Sequence, residues 1–141
     1  MATQAKRQSE STRTRAARLV VAVNGGVNLL TGLTLLFAPR WFYENVADFP
    51  PFNRHFLGDI GALTLALGFG LVMAARNPRG HRGLIGIGAL GGLIHAVNHL
   101  YDDLVVERGA SLHWATNTLP VLLMAASLLW AWRVTRDTAV P

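Results

Sequence analysis

Histidine and aspartate side chains recur at helical spacing in the apolar part of this sequence. His55 and Asp59 are four residues apart, and His95, His99 and Asp102 follow one another at intervals of four and three. Residues at these intervals lie on one face of an α-helix. Imidazole and carboxylate groups bind transition metals, and imidazole also exchanges protons near neutral pH. The spacing therefore predicts a polar site to which several helices contribute.

Six residues are candidate metal ligands. They are His55, Asp59, His95, His99, Asp102 and His113. Asp59, His95 and His99 are also the candidate catalytic residues, because ionisable groups within a membrane are costly and usually serve a function. The chain has no cysteine, which excludes thiol nucleophiles, zinc–thiolate sites and iron–sulfur clusters.

Three kinds of chemistry remain open for this cluster. The first is a site for Fe, Cu, Zn or Mn with nitrogen and oxygen ligands, which helical bundles commonly assemble from facing helices. The second is a b-type haem held by two histidines from different helices, with His95 as the best placed ligand. The third uses no cofactor, and His and Asp act as acid–base groups on a lipid-soluble substrate.

A purely structural explanation competes with these hypotheses at several positions. His55 and His113 stand at predicted helix starts, where a histidine at the membrane–water interface is ordinary. Asp102 and Asp103 are also explained as loop acids, and paired His and Asp side chains satisfy one another by hydrogen bonding. The structural alternative is weakest for the three catalytic candidates.

Four apolar segments must position these residues. Of 141 residues, 51% are hydrophobic and 15% charged, whereas a soluble domain carries about 25% charged residues. The segments are 19–38, 55–75, 83–101 and 114–132, each close to the ~20 residues that cross ~30 Å of hydrocarbon. This pattern predicts an all-α integral membrane four-helix bundle over residues 19–136, with Pro120 inside the fourth helix.

The charged residues predict the orientation. Residues 1–18 form a basic arm for which we expect no packed structure, and 137–141 form a short tail. With the N-terminus inside, ten of the 13 Lys and Arg residues fall in inner segments and three in outer ones. The positive-inside rule then predicts a multi-pass protein of the cell membrane with both termini cytoplasmic. The net charge of +5 indicates topology and contact with the lipid bilayer rather than nucleic acid.

Glycines are frequent in the second and third apolar segments. They include Gly58, Gly61, Gly68 and Gly70 and the pair Gly88 and Gly92. Small residues let transmembrane helices approach closely, which predicts a tight bundle, a homo-oligomer or binding to a partner membrane subunit. The alternative to an enzyme is thus a non-enzymatic membrane subunit or scaffold that binds a partner through these faces.

The stretch from Asp48 to Ala62 resembles a block in small bacterial four-helix membrane proteins of the DoxX-like kind. Its sequence is Asp-Phe-Pro-Pro-Phe-Asn-Arg-His-Phe-Leu-Gly-Asp-Ile-Gly-Ala. DoxX-like proteins are associated with quinol oxidation. The resemblance implies a redox-linked membrane protein and carries over no catalytic residue. The first functional hypothesis is therefore a small oxidoreductase, with or without a bound metal, that acts on a lipophilic substrate such as a quinone.

Overall fold

The computed structural model describes residues 2–47, 50–106 and 114–136, and all the regular secondary structure in these ranges is helical. The α-helices are α1 (Ala2–Phe37), α2 (Pro39–Asn45), α3 (Arg54–Arg76), α4 (Arg82–Tyr101) and α5 (Leu119–Val134). There are also two π-helical segments: Asp102–Val106 follows α4, and Trp114–Thr118 precedes α5. The predicted all-α class is confirmed.

Three helical stretches are long and apolar enough to cross a membrane. They are Ser11–Phe37, Arg54–Arg76 and Arg82–Val106. The fourth predicted segment, 114–132, differs from its prediction, because its α-helical part is the shorter α5. Pro120 lies in the first turn of α5 rather than inside a longer helix. Proline has no N–H to continue the α-helical ladder toward the N-terminus, and the preceding turn is π-helical instead.

The basic N-terminal arm is helical and continuous with the first apolar segment, contrary to the prediction for residues 1–18. The backbone of α1 is helical from Ala2. Alanine, arginine, lysine and glutamine favour helix, and this region has no glycine or proline to interrupt it. Ala17 is completely buried in the main hydrophobic cluster, so the packed part of the chain begins before residue 19.

Helices α1 and α3 are in close antiparallel contact through two pairs of glycines. Gly25 of α1 lies against Gly68 of α3, and Gly32 lies against Gly61. The seven-residue spacing on both helices places both pairs on one line of contact. A Cβ added at Gly32 would lie 2.6 Å from the backbone nitrogen of Leu65, so the absence of side chains is what permits this approach.

Helix α4 runs antiparallel to both α3 and α5. Leu84 contacts Gly70 of α3, and further along α4, Gly92 lies against Ala125 of α5. Asn24 connects α1 to α5 through a hydrogen bond of 3.0 Å from its Nδ2 to Oγ of Ser127. Each of the four longer helices thus has contacts with at least two others.

These contacts define two ends of the protein. The basic end contains the start of α1, the α3–α4 turn and the end of α5, while the histidine end contains the end of α1, the start of α3 and the end of α4. The hydrophobic cluster lies toward the basic end. Its buried members are Ala17, Val21, Leu71, Ala74, Ile85, Ala89, Leu128 and Ala131.

Candidate functional site

The sides of α3 and α4 that pack together near the basic end are exposed toward the histidine end. Near the basic end, Leu67 and Leu71 of α3 face Gly88 of α4. Eleven residues make three turns of an α-helix, so Phe56 and Ile60 lie on the same face of α3, three turns toward the histidine end. Their exposed fractions are 60% and 37%. The α3–α4 contact is therefore not continued to this end of the helices.

The facing side of α4 shows the same loss of contact. Leu84 packs against Gly70 of α3, and His95 lies three turns further along the same stripe of α4. The His95 residue is exposed, as is Gly91 one turn earlier. We call the exposed side of α3 that carries Phe56 and Ile60 the apolar wall, the exposed side of α4 that carries His95 the polar wall, and the space between these two sides the cleft.

The polar wall is centred on a hydrogen-bonded pair of histidines. Nε2 of His95 and Nε2 of His99 are 3.0 Å apart, and the ring centroids are 4.6 Å apart in an edge-to-face arrangement. A bond between two imidazole nitrogens requires one ring to donate an N–H and the other to accept it. The pair therefore shares a proton between two groups and can pass it to a third group placed beside them.

His55 and Asp59 form a separate pair on α3. Nε2 of His55 lies 3.6 Å from Oδ2 of Asp59, and the two side chains are 91% and 64% exposed. An ion pair this exposed contributes little to stability, roughly 0–1 kcal/mol. The predicted i, i+4 relation is confirmed, and the pair lies beside the apolar wall formed by Phe56 and Ile60.

The two consecutive aspartates after α4 have different partners. Oδ2 of Asp102 accepts a hydrogen bond of 3.3 Å from Nδ2 of Asn98, on the helix turn below it. Oδ2 of Asp103 accepts one of 2.5 Å from Oγ1 of Thr118, whose residue is only 2% exposed. The Asp103–Thr118 bond joins the two π-helical segments, and so it holds the end of α4 to the start of α5.

The described residues do not assemble the predicted ligands into one metal centre. Within residues 2–47, 50–106 and 114–136, no group of three or more His, Asp or Glu side chains is placed to hold a metal ion. His113 lies outside the described residues. The structure brings together His95 with His99 and His55 with Asp59, and the metal and haem hypotheses stay predictions.

Comparison with protein-family models, curated proteins and solved structures found no match. The resemblance to DoxX-like proteins therefore stays a prediction based on the Asp48–Ala62 stretch.

Sequence reasoning missed two features of this site. It did not identify Thr118 as the partner of Asp103, because the two lie fifteen residues apart in the chain. It also did not identify Phe56 and Ile60 as a wall, because an apolar residue in an apolar segment carries no signal of its own. The seven-residue spacing of Gly25 and Gly32 was the available sign of the α1–α3 contact.

Proposed function

We propose that this is a multi-pass cell-membrane protein that binds a lipophilic molecule of the quinone class in the cleft between α3 and α4. In this proposal α1, α3, α4 and α5 form a four-helix transmembrane bundle, and both termini are cytoplasmic. The activity is that of a small membrane oxidoreductase or of its quinone-binding subunit. The observation that carries the proposal is the His95–His99 pair, bonded at 3.0 Å on the open face of α4.

The environment of this pair supports a lipid-soluble ligand. Ligand sites combine apolar walls with a small number of placed polar groups, and the cleft has both. Phe56 and Ile60 provide the apolar surface, and the imidazoles provide donors and acceptors. A ligand dissolved in the bilayer reaches this cleft laterally, between α3 and α4, without passing through water.

The pair is suited to proton exchange with a quinol or quinone oxygen. A ring nitrogen of the pair accepts a hydrogen bond from a quinol hydroxyl, and a ring N–H donates one to a quinone carbonyl. When the quinol hydroxyl ionises, its O–H bond breaks, the electron pair stays on the quinol oxygen, and the proton passes to the imidazole, which gives a quinolate and an imidazolium. The hydrogen bond between the two rings then distributes the positive charge over both histidines.

Quinone binding is tested by quenching of the intrinsic tryptophan fluorescence of the purified protein with a short-tailed ubiquinone analogue. We expect His95→Leu and His99→Leu to weaken binding by up to about tenfold, the equivalent of one lost hydrogen bond. Phe56→Ala tests the apolar wall and also weakens binding. The matched control is His81→Leu, since His81 lies in the α3–α4 turn at the basic end. Equal affinity in all four variants and the parent protein contradicts the proposal.

The cysteine-free chain makes the orientation directly testable. Single cysteines replace Asn53 at the histidine end and Gly80 at the basic end, and intact cells are treated with a membrane-impermeant maleimide. We expect Asn53→Cys to react in intact cells and Gly80→Cys only after lysis. The reverse pattern contradicts the proposed orientation, since the arginine-rich end would then lie outside.

A metal centre is a separate part of the proposal with its own test. The two imidazoles of α4 supply two ligands, whereas catalytic zinc sites have three protein ligands. The remaining candidates from the predicted set are His55, Asp59, Asp102 and His113. The protein is purified without a histidine tag, and bound metals are measured by mass spectrometry. Stoichiometric metal that is lost in His95→Ala and Asp59→Ala supports the centre, and a metal content unaffected by both substitutions contradicts it.

A non-enzymatic subunit is the second candidate function, and one observation favours it. A Cβ added at Gly83 or Gly91 of α4 would meet nothing within 4 Å, so both glycines offer open space to a partner helix. This candidate predicts that Gly91→Leu disrupts a complex isolated in mild detergent while quinone binding is unchanged. The quinone-binding proposal predicts that Gly91→Leu, one turn from His95, weakens quinone binding.

A further inference from the structure

Two arginines of the α3–α4 turn are fixed in place by neighbouring helices at the basic end. The guanidinium of Arg82 donates from Nε to the backbone carbonyl of Trp132 at 3.3 Å, and its central carbon lies 4.4 Å from the centroid of the Trp132 ring. Nη2 of Arg79 donates to Oγ1 of Thr14 at 3.4 Å. The turn is thus joined to α5 by one arginine and to α1 by the other.

A glycine makes room for this arrangement. Gly86 lies one turn after Arg82 on α4, and a Cβ there would lie 2.8 Å from Nε1 of Trp132. The indole ring therefore packs directly on the α4 backbone, and Arg82 stacks on the same ring. A guanidinium bound through Nε and stacked on an aromatic face keeps its two terminal NH₂ groups available for a ligand.

The positive charge of these two arginines is not neutralised within the described structure. In residues 2–47, 50–106 and 114–136, the ion pairs are Arg40–Glu44 and His55–Asp59, both at the histidine end. Arginine is suited to bidentate phosphate binding, and tryptophan is typical of the membrane–water interface. Basic pockets between transmembrane helices on the cytoplasmic side bind anionic lipid head groups.

We propose that Arg79, Arg82 and Trp132 form a binding site for the phosphate of an anionic phospholipid at the junction of α1, α4 and α5. The arginines bind the phosphate oxygens, and the indole packs against the glycerol and the upper acyl chain. This site is independent of the cleft at the histidine end, and it gives the basic end a defined lipid ligand in addition to its role in orientation.

The test is a lipid titration followed by native mass spectrometry of the full-length protein in detergent. Phosphatidylglycerol is the probe, and phosphatidylcholine is the control, because the choline cation cancels the charge of its phosphate and the head group has no net charge. We expect Arg82→Gln and Arg79→Gln each to weaken phosphatidylglycerol binding by about fivefold or more. The matched control is Arg136→Gln, which removes the same charge from an exposed residue at the same end and leaves the affinity close to that of the parent protein.

Two further comparisons make the result decisive. Arg82→Lys keeps the charge but loses the Nε donor and the planar stacking on Trp132, so a built site predicts weaker binding in this variant as well. Equal weakening by Arg82→Gln and Arg136→Gln overturns the proposal, because it indicates diffuse attraction. The proposal is also overturned if soluble glycerol phosphate displaces phosphatidylglycerol as effectively as added phosphatidylglycerol does, because the site would then recognise phosphate without the lipid. Circular dichroism of each variant identifies any that does not fold, and Arg79→Gln then provides the second measurement.

Discussion

The glycine contact between α1 and α3 leads to a quantitative prediction about stability. In Gly68→Ala, the new Cβ would lie 2.5 Å from the backbone nitrogen of Leu29 and 2.9 Å from the carbonyl carbon of Asn28. Ordinary van der Waals contact begins at 3.4 Å. The nearest contact is therefore short by 3.4 − 2.5 = 0.9 Å. Backbone atoms of a helix cannot rotate away, so the helices must separate by nearly this distance.

Separation of the helices weakens dispersion contacts along the whole α1–α3 interface, because the dispersion attraction between atoms decreases steeply when a gap of about 0.5–1 Å opens between them. Overpacking of this kind costs about 1–3 kcal/mol. The higher helix propensity of alanine offsets about 1 kcal/mol at most. After this offset, we expect Gly68→Ala to lower the free energy of unfolding by up to about 2 kcal/mol.

Gly58→Ala is the matched control on the same helix. A Cβ at Gly58 would meet nothing within 4 Å, so the substitution retains only the gain in helix propensity, up to about 1 kcal/mol. The two substitutions are chemically identical and are expected to change stability in opposite directions.

The assay is equilibrium unfolding in mixed micelles with increasing fractions of sodium dodecyl sulfate, followed by circular dichroism. Gly25→Ala is the second test variant, because its Cβ would lie 2.8 Å from the backbone nitrogen of Val72 on the other side of the interface. Equal stability of the Gly68→Ala and Gly58→Ala proteins would refute the close backbone contact between α1 and α3.

Two further predictions concern hydrogen bonds between helices, and the same unfolding assay measures both. A double-mutant cycle of Asn24→Ala and Ser127→Ala should give a coupling energy of about 0.6 kcal/mol, the average for hydrogen bonds between transmembrane helices; zero coupling would show that the α1–α5 bond contributes nothing. Thr118→Val should lower the free energy of unfolding by about 1.5–3 kcal/mol, because it removes a hydrogen bond to the carboxylate of Asp103. Thr118→Ser retains the hydroxyl and should retain most of that stability, and equal losses in both variants would attribute the effect to packing.

The sequence was sufficient to predict the class of the protein and the pairing of residues within each helix. Three apolar stretches of spanning length appear where hydropathy predicted them, because each helix satisfies its own backbone hydrogen bonds and needs no tertiary partner to do so. The i, i+4 spacing likewise predicted the His55–Asp59 and His95–His99 pairs, since that spacing is a property of the helix itself.

The relation between helices could not be derived from the sequence. Periodicity placed His55, Asp59, His95 and His99 on helix faces, but whether these faces meet depends on how α3 and α4 are separated. Only the structure shows which helices approach closely: Gly25, Gly32, Gly61 and Gly68 bring α3 against α1 by direct backbone contact.

Local chemistry beyond the helical repeat also required the structure. A proline inside an apolar run signals a break in the helix. The π-helical geometry before Pro120 and the Asp103–Thr118 bond beside it are visible only in the structure. The positions of Arg79 and Arg82 in the turn were visible as charge alone. Tertiary packing orients both side chains: Gly86 admits the Trp132 ring on which Arg82 stacks, and Arg79 donates to Thr14 of α1. An exposed arginine populates several staggered rotamers, and a contact with a neighbouring helix selects one of them.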